Sequence, residues 1–274
     1  MIPLFDALAH PTLKGQWYNQ VELDASFSSL THQLEEHGYL GACAVGMSNI
    51  AGYHSAQFME VCQQYPRLFP VAGWVSQEEK NIQKEIQTLV KMGYKAIKIH
   101  PRFMELSSED SILHHIVEVA VDHELIIFYC SYFYTTVLRF PFMDPLYSLA
   151  AMLKKIPQAK VIIVHGGGVD LLRYAELVRH NPNLLLDLSL TLMKYKNSSI
   201  DQDLQFLFES FDQRICIGSD FPEYDLAAVR ARFEYFSKNM SQEKILNIGY
   251  QNILNFLGVR DQYESFLEKM EKAC

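Results

Sequence analysis

No two cysteines of this chain stand in a Cys-x-x-Cys arrangement, and the five present (Cys43, Cys62, Cys130, Cys216, Cys274) are odd in number and scattered. Neither a disulfide framework nor a thiolate zinc site is built that way. No cluster of Lys and Arg occurs anywhere, and the formal net charge is −8. That balance argues against nucleic acid and against anionic membrane as partners. No apolar run reaches the roughly 18 residues needed to span a bilayer. The opening Met1-Ile2-Pro3-Leu4-Phe5-Asp6 lacks the basic start and long apolar stretch of a signal peptide. A Gly-x-Gly-x-x-Gly turn is missing too, as is any linker rich in Pro, Gly or Ser. The absences together predict a soluble cytoplasmic protein, a single domain over residues 1–274, acting on a small molecule.

What is present is a chain of 274 residues, 49% hydrophobic, enough to bury one large core. Its most informative stretch is Lys160-Val161-Ile162-Ile163-Val164-His165-Gly166-Gly167-Gly168. Four β-branched residues without polar alternation read as a strand buried on both faces, as in a parallel sheet covered by helices. His165 stands at the carboxyl end of that strand, where α/β folds place their chemistry. The glycines let the backbone turn sharply beside a ligand. Taken alone, His165 is read equally well as a hydrogen-bonded core histidine.

The same alternation of apolar runs and helical patterns covers the chain. Strands are predicted at Ile2–Ala9, Leu40–Val45, Leu68–Val75, Tyr94–Ile99, Leu125–Cys130, Lys160–Val164, Leu184–Leu190 and Arg214–Gly218. Helices are predicted at Ser26–His37, His54–Tyr65, Gln77–Met92, Asp110–His123, Pro145–Ile156, Val169–His180, Asp201–Phe211 and Ser241–Leu257. Eight β-then-α units close a (β/α)8 TIM barrel, whereas doubly wound sheets use fewer strands.

Residues able to bind a metal or move a proton gather at the strand ends. Strand alternation puts Asp6, Leu8 and His10 on one face of the first strand, and the last strand runs into Gly218-Ser219-Asp220-Phe221-Pro222. Two imidazoles and a carboxylate, His10, His165 and Asp220, suit zinc or a similar divalent ion. Asp220 is equally a candidate turn or capping carboxylate, and His10 a turn histidine before Pro11.

These pieces, with Gly93-Tyr94-Lys95-Ala96-Ile97-Lys98-Ile99-His100-Pro101, Val164-His165-Gly166-Gly167, Asn183-Leu184-Leu185-Leu186-Asp187-Leu188-Ser189 and Ile245-Leu246-Asn247-Ile248-Gly249-Tyr250-Gln251-Asn252, give the chain a family likeness. It resembles the amidohydrolase superfamily over nearly its whole length. The branch is the amidohydrolase-related one that includes 2-amino-3-carboxymuconate semialdehyde decarboxylases and similar metal-dependent hydrolases. The resemblance implies a metal held by a His-x-His on the first strand, a His ending the fifth and an Asp ending the eighth. It also implies a sixth-strand His that polarises substrate or water, with the eighth-strand Asp as base. His10, His165 and Asp220 match, so His10, Asp220 and His165 are the candidate metal set and Asp220 and His165 the candidate catalytic pair. Leu8 and Tyr129 stand where the other two imidazoles belong. Leucine ligates nothing, and a phenol must first lose a proton with a pKa of about 10. The expected metal is therefore one divalent ion such as zinc, weakly bound or absent.

Candidate substrate-binding residues follow from the neighbouring strand ends. Lys98 and His100 lie two apart on the fourth strand, and Lys98 inside a barrel needs a partner such as Asp6 or Asp187. Tyr129 ends the fifth strand, and alternation turns Cys130 toward the helices. The segment 131–143 is aromatic with one cation, Arg139, and suits either a substrate wall for an aromatic or alkyl acid or a contact to a second copy of the chain. Trp17, Tyr18 and Tyr224 extend that rim, and the tail from Gln262 reads as an amphipathic helix packed on the barrel or a neighbour. Three readings stay open: an amidohydrolase-type hydrolase or related decarboxylase with an atypical metal, a metal-free hydrolase of carboxylates, amides or lactones, and a non-catalytic barrel that binds a small molecule or protein.

Overall fold

A computed structural model describes residues 2–73, 79–104, 111–134 and 144–273. Arg139 and most of the aromatic segment 131–143 lie outside them, as does the end of the predicted strand Leu68–Val75. Eight strands form one sheet in sequential order: β1 (Leu4–Ala9), β2 (Tyr39–Val45), β3 (Leu68–Gly73), β4 (Ala96–Ile99), β5 (Ile126–Cys130), β6 (Val161–Val164), β7 (Leu184–Asp187) and β8 (Ile215–Cys216). Each pairs in parallel with the next. The seam between β1 and β8 is closed by backbone bonds, Ala7 N–H to Ile217 O, Asp220 N–H to Leu8 O and His10 N–H to Phe221 O, each 2.8 Å. This is the (β/α)8 TIM barrel in one domain.

Two apolar layers hold it. Ile97, Ile99, Ile127, Tyr129, Ile163 and Leu186 point outward and pack against helical residues such as Leu113, Ile116 and Leu171. Phe5, Ala7, Leu8, Cys43, Val71, Phe128, Ile162 and Leu185 fill the barrel, joined by Tyr250, Leu254 and Tyr263 of the C-terminal region. Tyr263 meets Phe5 edge-on with ring centroids 5.1 Å apart. Layers of inward side chains make such a barrel a packed core rather than a pore. Among the described residues no helix is long and apolar enough to cross a membrane.

The predicted helices form close to their expected bounds, from Phe27–Glu36, whose N-cap Ser26 accepts from Ser29 N–H, to Ile200–Ser210. The expected closing helix is three pieces, Gln242–Leu246, a π turn at Asn247–Gln251, and Asn252–Leu257. A Cβ at Gly249 would lie 3.1 Å from the Pro3 carbonyl, so the chain passes close to the barrel there. The sequence pattern missed the hairpin Gln16–Trp17 with Gln20–Asp24 and the helix Leu226–Ser237. That helix buries its arginines: Arg230 reaches the carbonyls of His37 and Gly38, and Arg232 that of Leu192. Buried arginines erase the polar-out signal on which an amphipathic reading depends.

Candidate active site

The seam brings together two residues more than 200 positions apart. With Asp220 N–H bonded to Leu8 O and His10 N–H to Phe221 O, His10 Nε2 lies 3.4 Å from Asp220 Oδ1. His10 Nδ1 is 2.9 Å from the Val45 carbonyl oxygen, so that nitrogen carries the proton and Nε2 is left toward Asp220. Below them Asp6 anchors the turn, accepting from Ser219 N–H (2.8 Å), Ser219 Oγ (2.5 Å) and Leu8 N–H (3.1 Å).

His165 follows β6 with a left-handed φ of 72°, and Asp220 follows β8 with φ 56°. Neither is glycine, and such backbone strain clusters where a side chain must be aimed. His165 Nδ1 lies 3.1 Å from Ser189 Oγ, and that hydroxyl donates to the Asp187 carboxylate. The chain of bonds assigns the imidazole proton to Nδ1 and leaves Nε2 without a protein partner among the described residues. Thr191 Oγ1 holds the His165 carbonyl at 2.6 Å. Gly166, Gly167 and Gly168 then run with φ of 58°, 79° and 64°. A Cβ on Gly167 would come 2.0 Å from the Tyr174 ring, so only glycine fits. Ser131 Oγ braces this turn, donating to Val164 O and accepting from Gly167 N–H.

Protonation follows burial and neighbours. Burial pushes His165 down to about 3, with Lys98 and His10 adding to it against the opposing pull of Asp220. The ring is therefore neutral at pH 7. Burial alone would raise Asp220, but His165, His10 and Lys98 outweigh it and hold the carboxyl down at about 2. At neutral pH the pair is a carboxylate and a neutral imidazole.

The opposite wall is cationic. Lys98 is 3% exposed, and no ion pair or hydrogen bond from it occurs among the described residues. Asp6 and Asp187, its expected partners, are occupied by Ser219 and Ser189. Burial lowers the Lys98 ammonium below its ordinary range, Arg102 adds to this, and Asp220 and Asp187 oppose it. His100 is stacked on Phe103 at 4.0 Å, its buried Nδ1 has no partner, and burial with Lys98 and Arg102 holds it well below the usual imidazole range. Arg102 reaches Tyr134 O at 3.0 Å and leaves a buried Nε unpaired. Its guanidinium lies 5.2 Å from the Tyr132 ring centre, and Lys194 Nζ lies 5.6 Å from the same ring. Between the two walls is a cavity of about 240 Å³ lined by His10, Trp17, Lys98, His100, Tyr132, His165, Asp220 and Tyr224 among others. Trp17 covers one side, stacked on His10 at 5.7 Å with its indole N–H on Glu223 Oε1 at 2.6 Å.

His10, Lys98, His100, His165 and Asp220 thus line one cavity. Tyr129 does not: it packs in the outer layer, and Cys130 shares the electrostatic environment of Lys98. The expected alternation at the end of β5 is therefore reversed. Arg139 lies outside the described residues. Sequence reasoning missed Arg102, Lys194 and Glu223. The first had a visible signal, the basic spacing Lys98-x-His100-x-Arg102, while Lys194 ends the short helix Thr191–Lys194 after β7 and Glu223 lies in the loop after β8.

The residues meet a metal only partway. Two donors on a tetrahedral zinc at about 2.0–2.1 Å lie about 3.4 Å apart, the separation of His10 Nε2 and Asp220 Oδ1. The third donor is missing: His165 lines the same cavity but forms no ligand cluster with His10 and Asp220, Leu8 sits in the barrel core and Tyr129 points away. Among the described residues no group of three or more His, Cys, Asp or Glu side chains is arranged to hold a metal ion. The site does not fit a resident metal with three protein ligands.

No curated protein matches this chain. Solved structures do. An uncharacterised TIM-barrel protein from Bordetella bronchiseptica is 15% identical with a TM-score of 0.76, covering 96% of this chain and 100% of that one. A Pseudomonas putida protein assigned as a 2-pyrone-4,6-dicarboxylic acid hydrolase is 15% identical with a TM-score of 0.70, over 95% and 99% of the two chains. A 5-carboxyvanillate decarboxylase from Novosphingobium aromaticivorans, in complex with manganese and a nitrobenzoic acid, is 11% identical with a TM-score of 0.65, over 94% and 96%. The amidohydrolase family model matches residues 23–258. This chain is a member of the amidohydrolase family.

Proposed function

We propose that this chain is a hydrolase of small, planar carboxylates whose scissile group is a lactone, ester or amide carbonyl, and that it works without a resident metal held by three protein ligands. The observation that carries this is the mixed lining of one cavity, where Asp220 and His165 meet Lys98, Arg102 and Lys194. Cations with aromatic faces between them suit a flat anion. A hydrolase for a pyrone dicarboxylate and a decarboxylase for a carboxylated phenol among the structural neighbours support that substrate class.

The chemistry needs few parts. Asp220 and the free Nε2 of His165 are both acceptors and hold a water between them. Asp220 takes one proton as the oxygen adds to the substrate carbonyl carbon. The oxyanion forms against Lys98, an N–H donor in either protonation state. Collapse expels the leaving group, which takes the proton back from Asp220. Desolvation strengthens each of these contacts.

The test is a panel of carboxylated lactones, aryl esters and N-acyl amino acids, assayed with and without chelator. Hydrolysis that survives chelation and falls by about 10²–10⁴ in Asp220→Asn is expected. Activity lost on chelation and restored by zinc or manganese overturns the metal-free reading. A panel that binds but is never turned over moves the assignment to a non-catalytic, small-molecule-binding barrel.

A further inference from the structure

We propose that Lys98 is also a nucleophile, whose amine condenses with the carbonyl of a small oxo acid to form an imine and so lets this barrel decarboxylate 3-oxo acids. The proposal rests on the reading of the cavity as a site for small carboxylates. It adds a chemistry that the hydrolytic steps do not use.

Three observations lead there. Lys98 is almost completely buried, yet no carboxylate pairs with it among the described residues: Asp6 is engaged by Ser219, Asp187 by Ser189, and Asp220 lies against His10. A structural lysine in a barrel core would be paired, because an unpaired buried charge is costly. Lys98 also lines the cavity, beside the unpartnered Nδ1 of His100 and the guanidinium of Arg102. Burial, with the Arg102 charge, lowers the Lys98 ammonium against the pull of Cys130, Asp220 and Asp187, which makes the amine form with a lone pair to donate easier to reach. Finally, Asp220 and His165 face the same small volume and are able to move protons. His100, held neutral, adds no competing cation.

The steps balance. Lys98 Nζ bonds to the carbonyl carbon, and an N–H proton passes to the carbonyl oxygen by way of Asp220 or His165. The carbinolamine accepts a further proton on its hydroxyl and expels water, leaving an iminium ion. In a 3-oxo acid the C–C bond to the carboxylate then breaks and carbon dioxide leaves. That bonding pair forms the new C=C as the C=N π pair moves onto nitrogen, giving an enamine. Protonation at carbon and addition of water release the ketone and the free Lys98 amine. No oxidant, reductant or metal enters.

The experiment treats the full-length protein with pyruvate or acetoacetate and cyanoborohydride near pH 7, followed by peptide mass spectrometry. The expected result is a reduced adduct on Lys98 at least tenfold above that on exposed lysines such as Lys154 or Lys238, suppressed by benzoate. Carbon dioxide release from acetoacetate should exceed that of Lys98→Met by at least 100-fold, the variant being checked by circular dichroism and thermal unfolding. Adducts spread evenly over the lysines, or placed on Lys194 instead of Lys98, overturn the proposal. Labelling without carbon dioxide release overturns the decarboxylation step. Acetone serves as the neutral probe: if it labels Lys98 where pyruvate does not and benzoate fails to compete, the carboxylate reading fails while the nucleophile stands.

Discussion

The seam between β1 and β8 and the wall at the end of β4 face each other across one cavity and are built on opposite rules. Among the described residues no fully buried side-chain polar atom of the seam is left without a hydrogen-bond partner. Asp6 takes three hydrogen bonds, Ser219 links to both strands, and backbone bonds fix His10 and Asp220 beside each other. At the β4 wall Lys98 has no ion pair among the described residues, and His100 Nδ1 and Arg102 Nε are buried and unpaired. Native interiors leave few such atoms. The contrast separates a side organised to hold its own geometry from a side whose bonds are completed by what it binds.

Substitutions should sort along that line. The largest structural effect is expected on the braced side, at Gly167→Ala, where the new Cβ meets Tyr174 at 2.0 Å and the residue sits at φ 79°. A loss of about 3 kcal/mol, read as a fall in Tm of roughly 6–12 °C, is the expected outcome. A Tm within 2 °C of wild type would show that the turn after His165 is not as rigidly fitted as the contacts imply.

Arg102→Met tests the other side. Carboxylate affinity, measured by calorimetry, should fall about tenfold, roughly 1.4 kcal/mol, with Tm unchanged or raised. A clear fall in Tm with no change in binding would mean that Arg102 is structural, through its bond to Tyr134 O, and would remove the contrast.

The smallest effect concerns pH. Burial raises Asp6 from 3.8 to about 7, against the hydrogen bonds from Ser219 and Leu8. The folded protein therefore keeps a proton that the unfolded chain releases. The stability this contributes is complete below about pH 4 and is lost as pH rises through 7. Asp6→Asn cannot ionise and retains an acceptor for both backbone N–H groups, so it removes that slope. At pH 8 its Tm should exceed wild type by about 2–4 °C, with little difference at pH 4. Parallel Tm–pH curves for the two proteins would contradict the assignment.

Much of the barrel was legible in the sequence because β-branched runs and helical periods report burial directly. His165 after Val161–Val164 and Asp220 after the last strand were readable as strand-end residues. Tyr129 was misplaced because alternation gives two faces but not which one turns inward. The helix Leu226–Ser237 was missed because its buried arginines satisfy carbonyls of distant loops, a pattern no local period contains.

The order of elements, the barrel, and the residues at its rim follow from the chain alone, since local propensity and burial are encoded residue by residue. Which of those residues meet was decided only in three dimensions. Closure of the seam sets His10 against Asp220, Ser219 and Ser189 claim two carboxylates that Lys98 would otherwise use, and the short helix after β7 and the loop after β8 deliver Lys194 and Glu223 to the cavity. Each of these is a competition among partners far apart in sequence, and such competitions are resolved by geometry that no local pattern carries.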